Sequence, residues 1–176
     1  MSAEATAVVI ATRDRRERLL ATLARLAALD ERPPVVVVDN GSRDGTPAAV
    51  REGFPQVEVL ALAADRGAGA RNVALRALDA PYVALCDDDS WWAPGALTRA
   101  AAAFERAPRL AVVAARVLVG ARERLDATCA LMARSPLGTR PDLPGPRVLG
   151  FVACGAVVRR SAVLGVGGFD ERYGIG

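Results

Sequence analysis

Four short apolar runs, each closed by polar residues and followed by a helical pattern, constrain the fold of this chain more than any other feature. They are Ala7-Val8-Val9-Ile10-Ala11, Val35-Val36-Val37-Val38, Val57-Glu58-Val59-Leu60-Ala61-Leu62 and Tyr82-Val83-Ala84-Leu85-Cys86. Runs so short and so apolar read as strands covered on both faces, the pattern of a parallel sheet. Leu19, Leu20, Leu23, Leu26 and Ala27 recur at helical spacing after the first run, which predicts an amphipathic helix of roughly three turns. Thr46, with Pro47 in the first turn, predicts a capped helix to Glu52. Ala70 to Ala77 and Pro94 to Ala107 predict two more. A long strand from Leu110 to Val119, a mobile loop over Ser135 to Pro146, a strand from Val148 to Val158 and a short helix capped by Ser161 complete the expected order. The fold class is α/β, a mostly parallel sheet with helices on both faces.

At 176 residues and 52% hydrophobic composition the chain suits one domain with a sizeable core, and no apolar run reaches the length of a membrane span. Met1-Ser2-Ala3-Glu4 lacks the basic-then-apolar order of a secretion signal. Cys86, Cys129 and Cys154 are odd in number, widely spaced and make no zinc pattern. A soluble, cytoplasmic protein is expected. Every basic residue is Arg, and there is neither Lys nor His. That removes a P-loop lysine, Schiff-base chemistry, Ser-His-Asp and Cys-His catalysis, and histidine metal ligands. Carboxylates, a metal, arginines and backbone dipoles are what remain. The arginines are dispersed among acids with few aromatics between them, so no nucleic-acid partner is expected.

Polar residues gather where the runs end, and an open α/β sheet binds ligands at the carboxyl ends of its strands. Thr12-Arg13-Asp14 follows the first run, Asp39-Asn40-Gly41-Ser42-Arg43-Asp44-Gly45-Thr46 the second, Asp65-Arg66-Gly67-Ala68-Gly69-Ala70-Arg71-Asn72 the third, and Asp87-Asp88-Asp89 the fourth. Three adjacent carboxylates repel one another unless positive charge sits among them, and hard oxygen donors suit Mg2+ or Mn2+ carrying phosphate. Each cluster alone also reads as an ordinary turn or helix cap. The glycines at 67 and 69 make a poor dinucleotide fingerprint, because Asn72 stands where a third glycine belongs.

Taken in order, the Thr-Arg after the first strand, VVDNGSRDGT, RGAGARN and DDDSWWAPGAL resemble the family 2 glycosyltransferases, whose nucleotide-sugar-binding domain has the GT-A fold. Cys154-Gly155-Ala156 and Gly167-Gly168-Phe169-Asp170-Glu171 look like that family's acceptor-side segment. The resemblance runs from about Val8 to Gly176. It implies one GT-A domain over residues 1–176, with 1–119 the donor half and 147–176 the start of the acceptor-side half. Thr12, Arg13, Asp39, Gly41 and Arg71 would then line the site of a nucleoside-diphosphate sugar. Asp87 and Asp88 would serve the ribose or the metal's water shell. Asp89 would be the direct ligand of a divalent metal, Mn2+ or Mg2+, which offsets charge on the leaving diphosphate. The activity implied is inverting transfer of the sugar to a glycan, lipid-linked or small-molecule acceptor.

Two positions depart from that pattern. Arg13-Asp14 replaces the Tyr-Asn common in the family, so the base of the donor stays open among uridine, guanosine and thymidine. The acidic pair that supplies the general base is expected beyond Gly176, with Asp170 and Glu171 supporting the acceptor loop. A nucleotide-sugar-binding domain without transfer activity is therefore the alternative. A truncated acceptor side would expose apolar surface and favour weak self-association. A sugar-phosphate nucleotidyltransferase ranks lower, because Thr12-Arg13-Asp14 has no glycine, and a haloacid-dehalogenase phosphatase fails for want of Lys. Trp91 and Trp92 divide between stacking on a sugar and packing beneath the acidic loop. Phe169 and Tyr173 carry the same two readings, while Cys86 and Cys154 read as small buried hydrophobes.

Overall fold

The computed structural model describes residues 5–172. Its elements run β1 (Thr6–Thr12), α1 (Arg16–Ala27), β2 (Val35–Asp39), α2 (Thr46–Gly53), β3 (Glu58–Ala61), α3 (Ala70–Ala77), β4 (Tyr82–Cys86) and α4 (Ala96–Arg106). After them come β5 (Val112–Ala114), β6 (Leu118–Val119), β7 (Arg124–Leu125), α5 (Ala127–Met132), β8 (Ala156–Arg159) and α6 (Arg160–Gly165). Six strands form one sheet in the order β3-β2-β1-β4-β8-β5. The first four are parallel, and β8 runs antiparallel to both β4 and β5. This is the expected α/β architecture.

Alternation along the central strands divides two cores. Val8, Ile10, Val37 and Ala84 face α1 and α4, where Leu19, Leu23, Leu26, Leu97 and Phe104 close the layer. Val9, Val36, Val38, Val83 and Leu85 face α3 through Ala70, Ala74 and Leu75. The small alanines let α3 lie close to the sheet. Phe104 is fully buried and stacks on Tyr82 with ring centroids 4.6 Å apart, and the Arg159 guanidinium lies 5.3 Å from its ring. The chain winds outward from β1 to β3 and then returns to β4 on the other side of β1. A crevice consequently opens beyond the carboxyl ends of β1 and β4, the topological switch point of the sheet.

The predicted strands over residues 7–11, 35–38, 57–62 and 82–86 and the helix over Ala70–Ala77 are present, with end shifts of a residue or so. The long strand expected from Leu110 to Val119 is instead broken. β5 stops at Ala114, the Val117 N–H turns to Cys129 Sγ at 3.3 Å, and Leu118–Val119 pairs with Arg124–Leu125 in a separate hairpin. The strand expected over Val148 to Val158 shrinks to Ala156–Arg159, preceded by a 3-10 turn at Ala153–Gly155, because only that part meets β4 and β5. Neither predicted cap acts as one. Gly45 occupies the cap of α2 while Asp44 accepts from the Thr46 N–H at 3.0 Å, and Ser161 lies inside α6. The helix predicted from Pro94 starts at Ala96, where Glu31 accepts from the N–H groups of Gly95 at 2.8 Å and Thr98 at 3.0 Å. The hairpin and α5 were not foreseen, since two-residue strands carry no period.

Two outcomes follow for the scaffold. Phe104→Ala leaves a cavity where three packed groups met, and should cost about 3–5 kcal/mol, read as a lower urea midpoint at unchanged slope. For Glu31, burial pushes its carboxyl up, but the Thr98 and Gly95 N–H groups and the Thr98 hydroxyl outweigh that and hold it below its ordinary value. Its contribution is complete above the ordinary glutamate pKa and is lost as pH falls through the lowered one. The stability gap between wild type and Glu31→Gln should therefore narrow in acid, measured by thermal unfolding across a pH series.

Candidate functional site

Register brings the polar clusters together. Thr12 lies opposite Asp39 across the β1–β2 pair, and the Asn40 N–H donates to the Thr12 carbonyl at 2.8 Å. Ile10 lies opposite Cys86, so two residues further along β4's exit Asp88 comes level with Thr12. There the Thr12 hydroxyl donates to Asp88 Oδ2 at 2.8 Å, the Arg15 guanidinium reaches Oδ1 at 3.1 Å, and the Thr22 hydroxyl donates to the Asp88 carbonyl at 2.9 Å. Asp88 is only 6% exposed. It points inward, and its neighbours in the chain point out.

Asp87 and Asp89 keep their carboxylates about half in solvent. Asp87 accepts from Arg71 Nη2 at 2.7 Å, and its N–H donates to the Ser90 hydroxyl at 2.9 Å. Asp89 lies 3.5 Å from Arg15 and 3.4 Å from Arg18. Every member of the triplet is thus balanced by a guanidinium, which is how three adjacent carboxylates coexist. Bonding to Asp88 in turn raises the pKa of Arg15. Arg71 is nearly buried, and its Nε has no partner.

Asp39 lies deepest of the acids, 2% exposed. Its Oδ2 accepts from the Ser42 N–H at 3.1 Å, whereas Oδ1 is buried and has no partner. Such an oxygen costs about 1–3 kcal/mol unless a donor meets it, and this one lies at the strand end level with Thr12. Gly41 makes the turn above it at φ +79°, where a Cβ would stand 3.3 Å from the Ala64 backbone. Only glycine fits that conformation and that approach. Arg13 turns to Asp65 instead of toward Asp39. Asp65 also accepts from the Gly67 N–H at 2.8 Å and from Asn40 Nδ2 at 2.6 Å, and its carboxyl is held below its ordinary value first by the Gly67 bond and then by Arg13.

The late Gly-Gly-Phe-Asp-Glu segment docks on the same loop. Asn72 Nδ2 donates to the Phe169 carbonyl at 2.7 Å, and the Phe169 N–H donates back to Asn72 Oδ1 at 2.8 Å. Gly168, at φ +81°, lies so close to that amide that a Cβ would collide with it. Arg66 Nη2 bonds both carboxylate oxygens of Glu171 at 2.8 Å, and Arg172 grips Asp170. Both carboxyls are held below their ordinary values, Glu171 by Arg66 and Asp170 by Arg172. Both are ionised at neutral pH and lie in solvent-exposed ion pairs.

The structure therefore gathers Thr12, Asp39, Gly41, Arg71 and the triplet around one crevice and directs Arg13 to its rim. Sequence reasoning passed over Arg15, Arg18 and Asn72. Arg15 stands just before α1 and Arg18 in its first turn, both beside the triplet, a signal available only once α1 is placed there. The tryptophans divide. Trp92 is buried in the α1–α4 core, while Trp91 is 51% exposed with Arg25 stacked 3.8 Å from its ring centre. Burial pushes the Cys86 thiol up to about 12, so it is an inert core group. Cys154 is half-buried, raised first by burial and then by Asp87. Tyr173 lies outside the described residues.

A divalent metal would find two half-exposed aspartates in this crevice. No larger cluster of potential ligands occurs among the described residues. That donor set fits a cation that takes one or two carboxylates and completes its shell with substrate phosphates and water.

Comparison with known proteins locates this arrangement. The family described as "Glycosyl transferase family 2" matches residues 7–166. An N-acetylglucosaminyl-diphospho-decaprenol L-rhamnosyltransferase of Mycobacterium tuberculosis is 33% identical over 184 residues, covering 86% of this chain and 60% of the relative. The chain thus spans about 60% of the length of the curated relatives it matches. A mannosyltransferase of Pyrobaculum calidifontis, solved with GDP-Man and Mn2+, superposes with a TM-score of 0.73 at 26% identity, over 94% of this chain and 47% of that one. Residues 1–349 of S. aureus TarS, solved with UDP, superpose with a TM-score of 0.74 at 22% identity over 99% and 52% of the respective chains, a likeness of fold.

The joint between Asn72 and Phe169 is open to test. Asn72→Ala strips two backbone groups of their partner and should cost about 1–3 kcal/mol. Amide exchange at Phe169 should speed up while the β1 amides stay protected. Gly168→Ala should do the same by collision.

Proposed function

The chain belongs to glycosyl transferase family 2, and on that footing we propose that it binds a nucleoside-diphosphate sugar across the β1–β4 crevice and passes the sugar to an acceptor with inversion and with a divalent metal. The unpartnered Oδ1 of buried Asp39, set level with Thr12 and beside the acidic triplet, carries this reading. Asp39 accepts a hydrogen bond from the base, and Gly41 lets the backbone come close above it. Arg71, whose Nε has no partner, turns from Asp87 to the diphosphate. Arg13 at the rim exchanges Asp65 for the donor.

Asp89 and Asp87 would hold the metal, which offsets the charge that builds on the departing diphosphate. Asp88 is a positioning residue. It takes no part in ligation and instead locks the loop so that its two neighbours face the crevice. The acceptor approaches from the side of the 3-10 turn at Ala153–Gly155 and the Gly168–Glu171 segment, so residues 1–119 form the donor half and 147–176 begin the acceptor side. The mycobacterial relative is named for transfer to a diphospho-decaprenol-linked sugar, which supports a lipid-linked glycan as the acceptor class. GDP-Man and UDP in the structural relatives support a diphosphate donor. Three free cysteines suit a cytoplasmic setting.

Asp170 and Glu171 are both tied to arginines and are not assigned as the general base. The same observation favours a second reading, donor binding without transfer. Titration calorimetry with UDP, GDP and TDP, each with Mn2+ and with EDTA, tests the donor site. One nucleotide should bind with Mn2+ and weaken at least tenfold in EDTA or in Asp89→Ala. Asp39→Ala should weaken it by about 1.5–3 kcal/mol, the worth of a hydrogen bond to a charged group. Absence of binding by all three would overturn the proposal. Binding without sugar transfer from the matching donor would select the second reading.

A further inference from the structure

Residues 115–152 leave the sheet after β5 and rejoin it at the 3-10 turn before β8, and Cys129 is the only buried residue among them. This excursion has almost no core of its own. It nevertheless carries all but two of the exposed large apolar side chains in the described structure, the exceptions being Trp91 and Val166. Leu118, Val119, Leu131, Leu149 and Phe151 are between 41% and 81% exposed. Its charge is equally one-sided. Arg116, Arg122, Arg124, Arg134, Arg140 and Arg147 stand against Glu123, Asp126 and Asp142, so the excursion holds the whole net charge of +3 and the rest of the chain is neutral. All six arginines are exposed, and among the described residues only Arg140 is ion-paired, with Asp142. Asp126 is used to cap α5, accepting from the Cys129 N–H at 3.1 Å.

From this pairing of exposed apolar groups with unpaired arginines we infer that residues 115–152 seat the domain on an anionic lipid surface. Six arginines against three acids call for an anionic surface, and a bilayer interface accepts such a mixture of positive charge and apolar groups. Leucine and phenylalanine side chains enter the acyl boundary, and arginine stems lie along it with their guanidiniums at the phosphates. The contact is peripheral, since no described helix is long and apolar enough to cross a membrane. Position adds a consequence. The turn at Ala153–Gly155 that ends the excursion packs on β4, with Cys154 against Asp87, so seating the excursion brings the crevice to the headgroups. A lipid-borne acceptor would arrive there. The docking stands without the transferase reading, and only the acceptor's class rests on it.

Vesicle co-sedimentation tests this without donor or metal, so its failure is distinct from failure of the donor site. The protein should pellet with vesicles of equal parts phosphatidylglycerol and phosphatidylcholine, not with phosphatidylcholine alone, and should be released by salt. The triple variant Arg122→Gln, Arg124→Gln, Arg134→Gln and the double variant Leu149→Ser, Phe151→Ser should each lower partitioning about tenfold or more. Circular dichroism and melting of both variants should match wild type, because the altered side chains are exposed. Equal pelleting on both vesicle types would overturn the inference, as would binding indifferent to both variants. No pelleting at all, with or without a dimer in sedimentation velocity, would also overturn it, a dimer marking the face as a contact between two copies.

Discussion

The buried Asp88 carboxylate, held between the Thr12 hydroxyl and the Arg15 guanidinium, is the contact on which the crevice depends. A carboxylate withdrawn from water costs several kcal/mol unless it is paired and hydrogen-bonded, so burying this one commits β1, α1 and the β4 exit to a single relative position. Thr22 adds a bond to the Asp88 carbonyl from the middle of α1. With the central acid fixed inward in the turn that follows β4, Asp87 and Asp89 on either side keep their carboxylates half in solvent. Their half-exposed carboxylates follow from the anchoring of Asp88.

A second joint closes the other side. The Asn72 amide pairs with both backbone groups of Phe169, while Arg66 grips Glu171. These contacts span about a hundred residues of sequence and tie the loop after β3, which carries Arg71, to the segment after α6. The loop after β3 and the segment after α6 thus share a support. Movement of the 65–72 loop on ligand binding would be felt at Phe169, because its amide has no other partner among the described residues.

The sheet and the crevice were legible because each depends on local rules. Short runs of β-branched valine favour buried strands, and polar residues directly after such strands fall at the carboxyl edge. Beyond Leu110 legibility failed. Val112-Val113-Ala114 and Leu118-Val119 read as one strand in the sequence, yet β5 stops at Ala114, the Val117 N–H bonds Cys129 Sγ and Leu118–Val119 pairs with Arg124–Leu125. Thr46 and Ser161 have the composition of caps but stand first and second in their helices, where Asp44 accepts from the Thr46 N–H and the Pro81 carbonyl from the Arg160 N–H. Of the candidate residues, Thr12, Asp39, Gly41, Arg71 and the triplet are brought together. Arg15 and Arg18 were not singled out in the sequence, although both bond the triplet.

By itself the sequence determined the α/β class, the strand ends at which chemistry gathers and the family to which the chain belongs. These rest on periodicity, on the order of polar clusters and on residue types, all of which are properties of neighbours along the chain. Only the tertiary structure decided which aspartate turns inward, which arginine balances which acid, and that one oxygen of Asp39 is left without a donor. It also decided that the arginines and leucines of residues 115–152 share one unburied excursion. Those outcomes depend on which strands lie side by side and which helix face meets them, and hydrogen bonds and ion pairs act across that spacing with no regard for distance along the sequence.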